Sequence, residues 1–135
     1  MSWILRHDAR PWTANSARSA SHWSKNADRT KTWRTAFQLL AIEGGVPPLG
    51  ACRVVITPYL RNRSGRQDVG ACSPAAKAAI DGIRDAGAWP DDTDEYVVEL
   101  VFRAPVYGQG DALEVRIEPI LTSTPVVFPL INRAA

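Results

Sequence analysis

Apolar residues recur along this chain at two different periods, which predict two helices and a small sheet. In residues 28–43 the apolar positions follow helical spacing, which is typical of a helix with one buried face. The same spacing returns in residues 73–87, where Pro74 suits the first turn of a helix and Gly87 its end. The residues expected to face the core are Trp33, Phe37, Leu40 and Ala41 in the first helix and Ala76, Ile80, Ile83 and Gly87 in the second.

Three positions give the second helix more detail. Ser73 is the expected N-cap, because its hydroxyl can accept a hydrogen bond from a backbone amide of the first turn. Gly82 costs a helix about 1 kcal/mol relative to alanine, so its presence predicts a close approach by another backbone. Lys77 and Asp81 lie four residues apart and are expected to pair.

The predicted strands differ in how apolar they are. Residues 96–103 are almost continuously apolar, which predicts a central, well-covered strand. Residues 112–120 alternate cleanly between apolar and polar, and we expect them to pair antiparallel with 96–103. In residues 51–60, Pro58 predicts an edge strand or a strand end. Residues 2–6 form a weaker strand pattern.

These elements predict one α+β domain over residues 1–135, a small mixed β-sheet with two packed α-helices. Residues 1–27 are expected to form a loop-rich basic entrance segment, and residues 121–135 a proline-punctuated tail. Cys52 and Cys72 have neither metal-binding spacing nor a disulfide framework, which favours reduced thiols in the cytoplasm. No apolar run reaches the length of a membrane span.

Charge is distributed unevenly along the chain. Residues 1–66 carry eleven Lys or Arg and three acids (11 − 3 = +8), whereas residues 67–135 carry five and eleven (5 − 11 = −6). A basic half attracts phosphate backbones, and this favours a nucleic-acid partner modestly. The loop of residues 61–66, with three arginines directly before Asp68, could hold phosphates or form a solvated turn.

Six of the nine aspartates fall within residues 66–96. Carboxylates converging from two loops around one helix suit a hard divalent cation, which prefers oxygen ligands. The alternative interpretation is a capped surface helix with solvated acidic loops. An EF-hand calcium loop is excluded, because the positions that need glycine and glutamate hold Val97 and Arg103 when counted from Asp92. A phosphate-binding P-loop and a Ser-His-Asp elbow are absent as well.

The same stretch resembles a known family. Asp68 is followed by Lys-Ala-Ala-Ile-Asp-Gly-Ile from Lys77, by Asp-Ala-Gly from Asp85, and by Pro-Asp-Asp-Thr from Pro90. This order is similar to the RusA-type Holliday-junction resolvases of phages and prophages, which are homodimeric, magnesium-dependent endonucleases that nick four-way DNA junctions. One departure concerns the family's Asp-x-Asp-Asn, since this chain reads Asp68-Val69-Gly70-Ala71 with a longer spacer before Lys77.

The resemblance implies three groups of site residues: metal ligands, residues that act on the phosphate, and residues that contact DNA. Asp68, Asp91 and Asp92 would hold Mg²⁺, or Mn²⁺ in its place. Lys77 would support the phosphate or the leaving oxygen, and Asp81 would orient Lys77. His22 and Trp23 match the entrance segment of the family, and Trp23 could stack on an exposed base or pack in the core. The residues expected to contact DNA are His22, Trp23, Lys31, Arg34, Arg61, Arg63 and Arg66; Lys31 and Arg34 could instead solvate their helix.

The expected function is structure-selective cleavage of branched DNA by a homodimer. Two alternatives are open: a protein that binds branched DNA without cutting it, and a structural protein whose acidic loops bind nothing.

Overall fold

The described residues form two helices and five strands, and this confirms the predicted α+β class. The computed structural model describes residues 1–14, 20–91 and 94–120, with the backbone alone for residues 20–25. The elements in chain order are β1 (Trp3–His7), α1 (Ala20–Glu43), β2 (Cys52–Leu60), α2 (Ser73–Asp85), β3 (Val97–Phe102), β4 (Val106–Tyr107) and β5 (Ala112–Pro119).

The sheet is mixed, with the strand order β1-β5-β2-β3, and β4 also pairs with β2. β5 runs antiparallel to both β1 and β2, whereas β3 and β4 run parallel to β2. The predicted antiparallel pairing of residues 96–103 with 112–120 is therefore wrong, because β2 lies between these two strands. α2 connects β2 to β3, and a helical crossover of this kind is what joins parallel neighbours.

β3 is not the central strand that its apolar sequence predicted. Within the described residues it pairs with β2 alone, and its side chains at Val98 and Leu100 are 46% and 43% exposed. The buried core draws its sheet residues from β1, β2 and β5, and only the ends of β3 pack against it, through Val97 and Phe102. Apolar content alone does not reveal which strands the helices cover.

Pro58 lies in a central strand, which contradicts the edge position predicted for it. β2 pairs with β5 on one side and with β3 and β4 on the other, and Pro58 lies opposite Leu113. The backbone oxygens of Ile56 and Leu60 both face the β3 and β4 side, since they accept amides from Arg103 and Gly108. Strand alternation points the nitrogen of Pro58 to that same side. The missing N–H thus falls between the pairings with β3 and β4, where no ladder bond is lost.

The two helices share one core with the sheet. The predicted buried positions of α1 are confirmed for Trp33, Phe37 and Ala41, which are at most 5% exposed, and Leu40 packs against them. Gly82 of α2 meets the backbone of α1 as predicted: a Cβ placed there would overlap the Arg34 carbonyl oxygen. The alanines of α2 extend this close approach, since Ala75, Ala76, Ala78 and Ala79 are all buried.

Both helix starts differ from the sequence prediction. α1 begins at Ala20, so the loop-rich segment predicted over residues 1–27 is wrong from residue 20 onward. α2 has Cys72 rather than Ser73 at its N-cap, and no side chain caps it. Ser73 is the first helical residue, and its amide is satisfied by the backbone oxygen of Gly70, so the turn before the helix replaces a side-chain cap.

None of the helices among the described residues is long and apolar enough to span a membrane.

Candidate functional site

An open cavity of about 470 Å³ lies beside Asp68. Three separate segments build it: the chain after β1, one turn of α1, and the turn that leads into α2. Three guanidinium groups and one carboxylate, that of Asp68, line it together with apolar and polar neutral residues. The lining residues are Arg10, Pro11, Trp12, Thr13, Arg29, Gly65, Arg66, Gln67, Asp68 and Ala71.

Arg10 joins the cavity to the basic loop of residues 61–66. Its Nη2 donates to the backbone oxygen of Gly65 at 2.6 Å, and its Nη1 lies 3.7 Å from Oδ1 of Asp111. The same Oδ1 accepts the backbone amide of Arg61 at 2.8 Å. The carboxylate of Asp111 therefore fixes the start of the loop and Arg10 at once, and Arg10 fixes its end.

The three arginines predicted in that loop lie in different surroundings. Arg66 lines the cavity and makes no hydrogen bond or ion pair with another described residue. The guanidinium of Arg63 lies 4.6 Å above the ring centre of Tyr107, which holds it by a cation–π contact. Arg61 is exposed, with its guanidinium 3.9 Å from Asp111. The loop presents cations to solvent, as a phosphate-binding surface requires.

Asp68 occupies the turn before α2. Its backbone oxygen accepts the amide of Ala71 at 3.0 Å, and its carboxylate forms no ion pair within the described part of the chain. Gly70 follows with φ +82, although a Cβ would meet nothing within 4 Å. Glycine is favoured here by backbone conformation and not by space. The Gly70 that departs from the family pattern thus fits the local turn.

Lys77 and Asp81, the predicted catalytic residues of α2, form a chain of ion pairs with Arg84 of the same helix and with Asp91 beyond its end. We name these four residues the α2 stripe. Lys77 Nζ lies 3.1 Å from Asp81 Oδ1, which confirms the predicted pair. Arg84 Nη1 lies 3.8 Å from the same oxygen and 3.6 Å from Asp91 Oδ1. The side chain of Asp81 is only 15% exposed, whereas that of Lys77 is 62% exposed.

Asp91 reaches the α2 stripe because the chain after α2 is anchored. Gly87, with φ +98, ends the helix as predicted, but it is exposed and does not face the core as expected. Trp89 is 2% exposed in the core. The amide of Leu49 donates to the backbone oxygen of Ala88 at 2.8 Å, which ties this segment to the connector before β2. Ion pairs thus join Lys77, Asp81 and Asp91 through Arg84. Asp68 lines the arginine cavity, whose wall includes none of these three residues.

The two basic residues predicted on α1 lie outside the cavity wall. Arg34 pairs with Asp85 of α2 through two hydrogen bonds, of 2.5 Å from Nε and 2.9 Å from Nη2. This contact lowers the pKa of the Asp85 carboxyl, because the guanidinium stabilises the charged form. Arg34 therefore has a structural contact between the helices, whereas Lys31 is exposed on α1.

Sequence reasoning missed two of the three cavity arginines. Arg10 follows a short strand and Arg29 lies within α1, and neither stands near the acidic stretch in sequence. No motif marks them. Only their charge could have drawn attention, and they share it with fourteen other Lys or Arg residues (16 − 2 = 14).

Some predicted site residues fall outside the description. Asp92, the side chains of His22 and Trp23, and the tail of residues 121–135 are not described. Over the residues that are described, no three His, Cys, Asp or Glu side chains lie close enough together to hold a metal ion. Asp68 and Asp91 have the carboxylate oxygens that Mg²⁺ prefers. The third predicted metal ligand, Asp92, is outside the described residues.

The two cysteines do not offer a nucleophile. Cys52 and Cys72 are both buried and form no disulfide. Burial raises the pKa of the Cys72 thiol to about 11, and it also raises the pKa of the Cys52 thiol. Both groups are neutral thiols at physiological pH, and neutral thiols are poor nucleophiles.

The sequence matches no protein-family model, and a search of curated proteins finds none that is similar to it.

Proposed function

We propose that this protein is a magnesium-dependent endonuclease that nicks branched DNA such as a four-way junction. The observation that supports it best is the position of Asp68: a carboxylate without an ion-pair partner in the described chain lines the same cavity as three arginines. Hydrolysis of a phosphodiester needs both functions side by side, cations that hold the phosphate and carboxylates that hold a metal.

In this proposal different residues bind the phosphate, hold the metal and support the leaving oxygen. Arg66 and the other cavity arginines hold a phosphate, and the loop of residues 61–66 steers the DNA backbone toward them. Asp68, Asp91 and Asp92 would hold Mg²⁺ or Mn²⁺. When bound, the metal would supply a nucleophilic hydroxide at neutral pH and offset charge on the phosphate. Lys77, held by Asp81, supports the phosphate or leaving oxygen. The resemblance further suggests a homodimer in the cytoplasm.

A second candidate function is binding of branched DNA without cleavage. It is favoured by Gly70 and Ala71, which stand where the resolvases that the chain resembles have a second aspartate and an asparagine. The arginine cavity and the basic loop would bind DNA in the same way in either case.

The test uses one labelled four-way junction and a linear duplex of the same arm sequence, with Mg²⁺ or with a chelator. We expect the wild type to nick the junction only with Mg²⁺. Asp68→Asn and Asp92→Asn should each lower the cleavage rate at least on the order of a hundredfold, since outer-shell partners of a metal already account for about 10- to 100-fold. Both variants should still bind the junction, because each removes a charge that repels phosphate.

Binding of the junction without cleavage in Mg²⁺ or Mn²⁺ would refute the nuclease and support the second candidate. Failure to prefer the junction over the duplex would contradict both.

A further inference from the structure

The arginine cavity is larger than a phosphate group needs. Its volume of about 470 Å³ falls within the roughly 300–1,000 Å³ of small-molecule sites. A single phosphate on the surface of a duplex touches protein from one side only. A cavity walled by three chain segments has room for a ligand of the size of a nucleotide.

The charges of the cavity favour an anion. Three guanidiniums face one carboxylate, a formal balance of +2 (3 − 1). Each guanidinium has five N–H donors. Arg10 gives one to Gly65, and Arg29 gives one to Oδ1 of Asn26 at 3.2 Å. These bonds position both groups and leave other donors available, and a guanidinium fork matches the oxygens of a phosphate.

The remaining walls suit a sugar and a base. Trp12 and the half-buried Ala71 supply the apolar surface, since Pro11 is almost fully buried. The indole of Trp12 is held edge-on against Trp33, with ring centres 5.4 Å apart, and is 7% exposed. This wall is therefore rigid. A base that is stacked within a duplex cannot enter such a cavity, whereas an unpaired base at a branch point pays the smallest unstacking cost to do so.

We propose that the cavity binds one unpaired nucleotide of a branched DNA strand, with its phosphate against Arg10, Arg29 and Arg66 and its sugar and base against Trp12 and Ala71. This inference rests on the proposed function, because it takes the nucleotide to be part of a DNA strand. A nucleotide within a DNA strand and a free nucleotide share the chemistry of a nucleoside monophosphate, so the test must distinguish these two sources.

The first arm of the test measures free ligands by calorimetry on the full chain. We expect thymidine 5′-monophosphate to bind more tightly than either thymidine or inorganic phosphate, since only the nucleotide uses both walls. Arg29→Gln should weaken this binding about tenfold, as expected for one charge-assisted hydrogen bond. Arg103→Gln is the matched control: Arg103 is exposed and does not line the cavity, so the affinity should not change.

The second arm places the fluorescent base 2-aminopurine either at the branch point or in the middle of one arm of a four-way junction, in the presence of a chelator. Binding of the wild type should raise the fluorescence at the branch point and not in the arm, because the base leaves its stack. Arg29→Gln should reduce that rise at saturating protein, and Arg103→Gln should not. Circular dichroism establishes that each variant is folded.

The outcomes separate the inference from the proposed function. A junction that is bound and cut with no rise at the branch point overturns the inference and leaves the nuclease standing. A rise at the branch point without metal-dependent cleavage supports the inference and refutes the nuclease. Thymidine monophosphate binding no tighter than phosphate would reduce the cavity to a phosphate site, and nucleotide binding without any rise would assign it to free nucleotides; either result overturns the inference.

Discussion

At the scale of single residues, two glycines do different work in this protein. Gly70 is required for its backbone conformation, whereas Gly82 is required for space. Gly82 lets α2 approach α1 so closely that the backbone of α1 at Arg34 occupies the space that a side chain on Gly82 would need. An alanine would place its Cβ within 3.0 Å of the backbone nitrogen of Gln38 as well as against the Arg34 carbonyl.

Gly82→Ala should therefore destabilise the protein, although alanine favours helix by about 1 kcal/mol relative to glycine. Overpacking against backbone costs about 1–3 kcal/mol, and a backbone cannot rotate away as a side chain can. We expect a net fall in the free energy of unfolding in urea. Gly50→Ala is the control, because a Cβ there meets nothing within 4 Å and φ is not positive. Equal effects of the two substitutions would contradict the close approach.

At the scale of elements, the contact between α1 and α2 includes an ion pair as well as apolar packing. Arg34 and Asp85 join the helices beside the apolar contact made by Gly82. Because the pair lowers the pKa of Asp85, its contribution to stability is present above the unfolded-state pKa of about 3.9 and is lost as the pH falls through the folded-state pKa.

Asp85→Asn should lower the free energy of unfolding by up to about 1 kcal/mol at neutral pH, a small amount because both side chains are partly exposed. Thermal melts at several pH values should show the difference from the wild type shrinking as the pH falls below about 4. Asp8→Asn tests the specificity: Asp8 pairs at 2.9 Å with Arg6, two residues away, and is 78% exposed, so its removal should have little effect. A difference that stays constant down to low pH would rule out the assigned pair.

At the scale of the whole molecule, one carboxylate organises the basic surface. Asp111, directly before β5, contacts Arg10 after β1 and the amide of Arg61 after β2. It therefore joins two segments that precede it in the chain by about 100 and 50 residues. Its negative charge should weaken DNA binding, while its hydrogen bonds should strengthen it by holding the loop of residues 61–66 in place. Two substitutions separate these effects.

Asp111→Asn keeps an oxygen that can accept the Arg61 amide and removes only the charge, so junction affinity should be unchanged or higher. Asp111→Ala removes both, and the affinity should fall because the loop loses its anchor. Both are measured by junction binding over a range of salt concentrations. If the two variants gain affinity equally, the charge of Asp111 matters and its anchoring does not.

The sequence by itself determined the local structure of this protein and the chemistry of its candidate site. Helix spacing, Pro74 and Gly87 were sufficient to place α2, and the pairing of Lys77 with Asp81 followed from their separation by one turn. These features depend on neighbours within a few residues, which a linear pattern contains. Gly82 also signalled its close contact, because a glycine in mid-helix needs a reason.

Only the tertiary structure decided how the elements are ordered and which residues share a cavity. β3 proved to be a partly exposed strand beside β2, since apolar content does not reveal which strands the helices cover. The fold brings Arg10 and Arg29 to Asp68 across more than thirty residues of chain, and it engages Arg34 with Asp85. Such contacts depend on strand order and helix packing, which arise from the burial of the whole core and leave no periodic mark in the sequence.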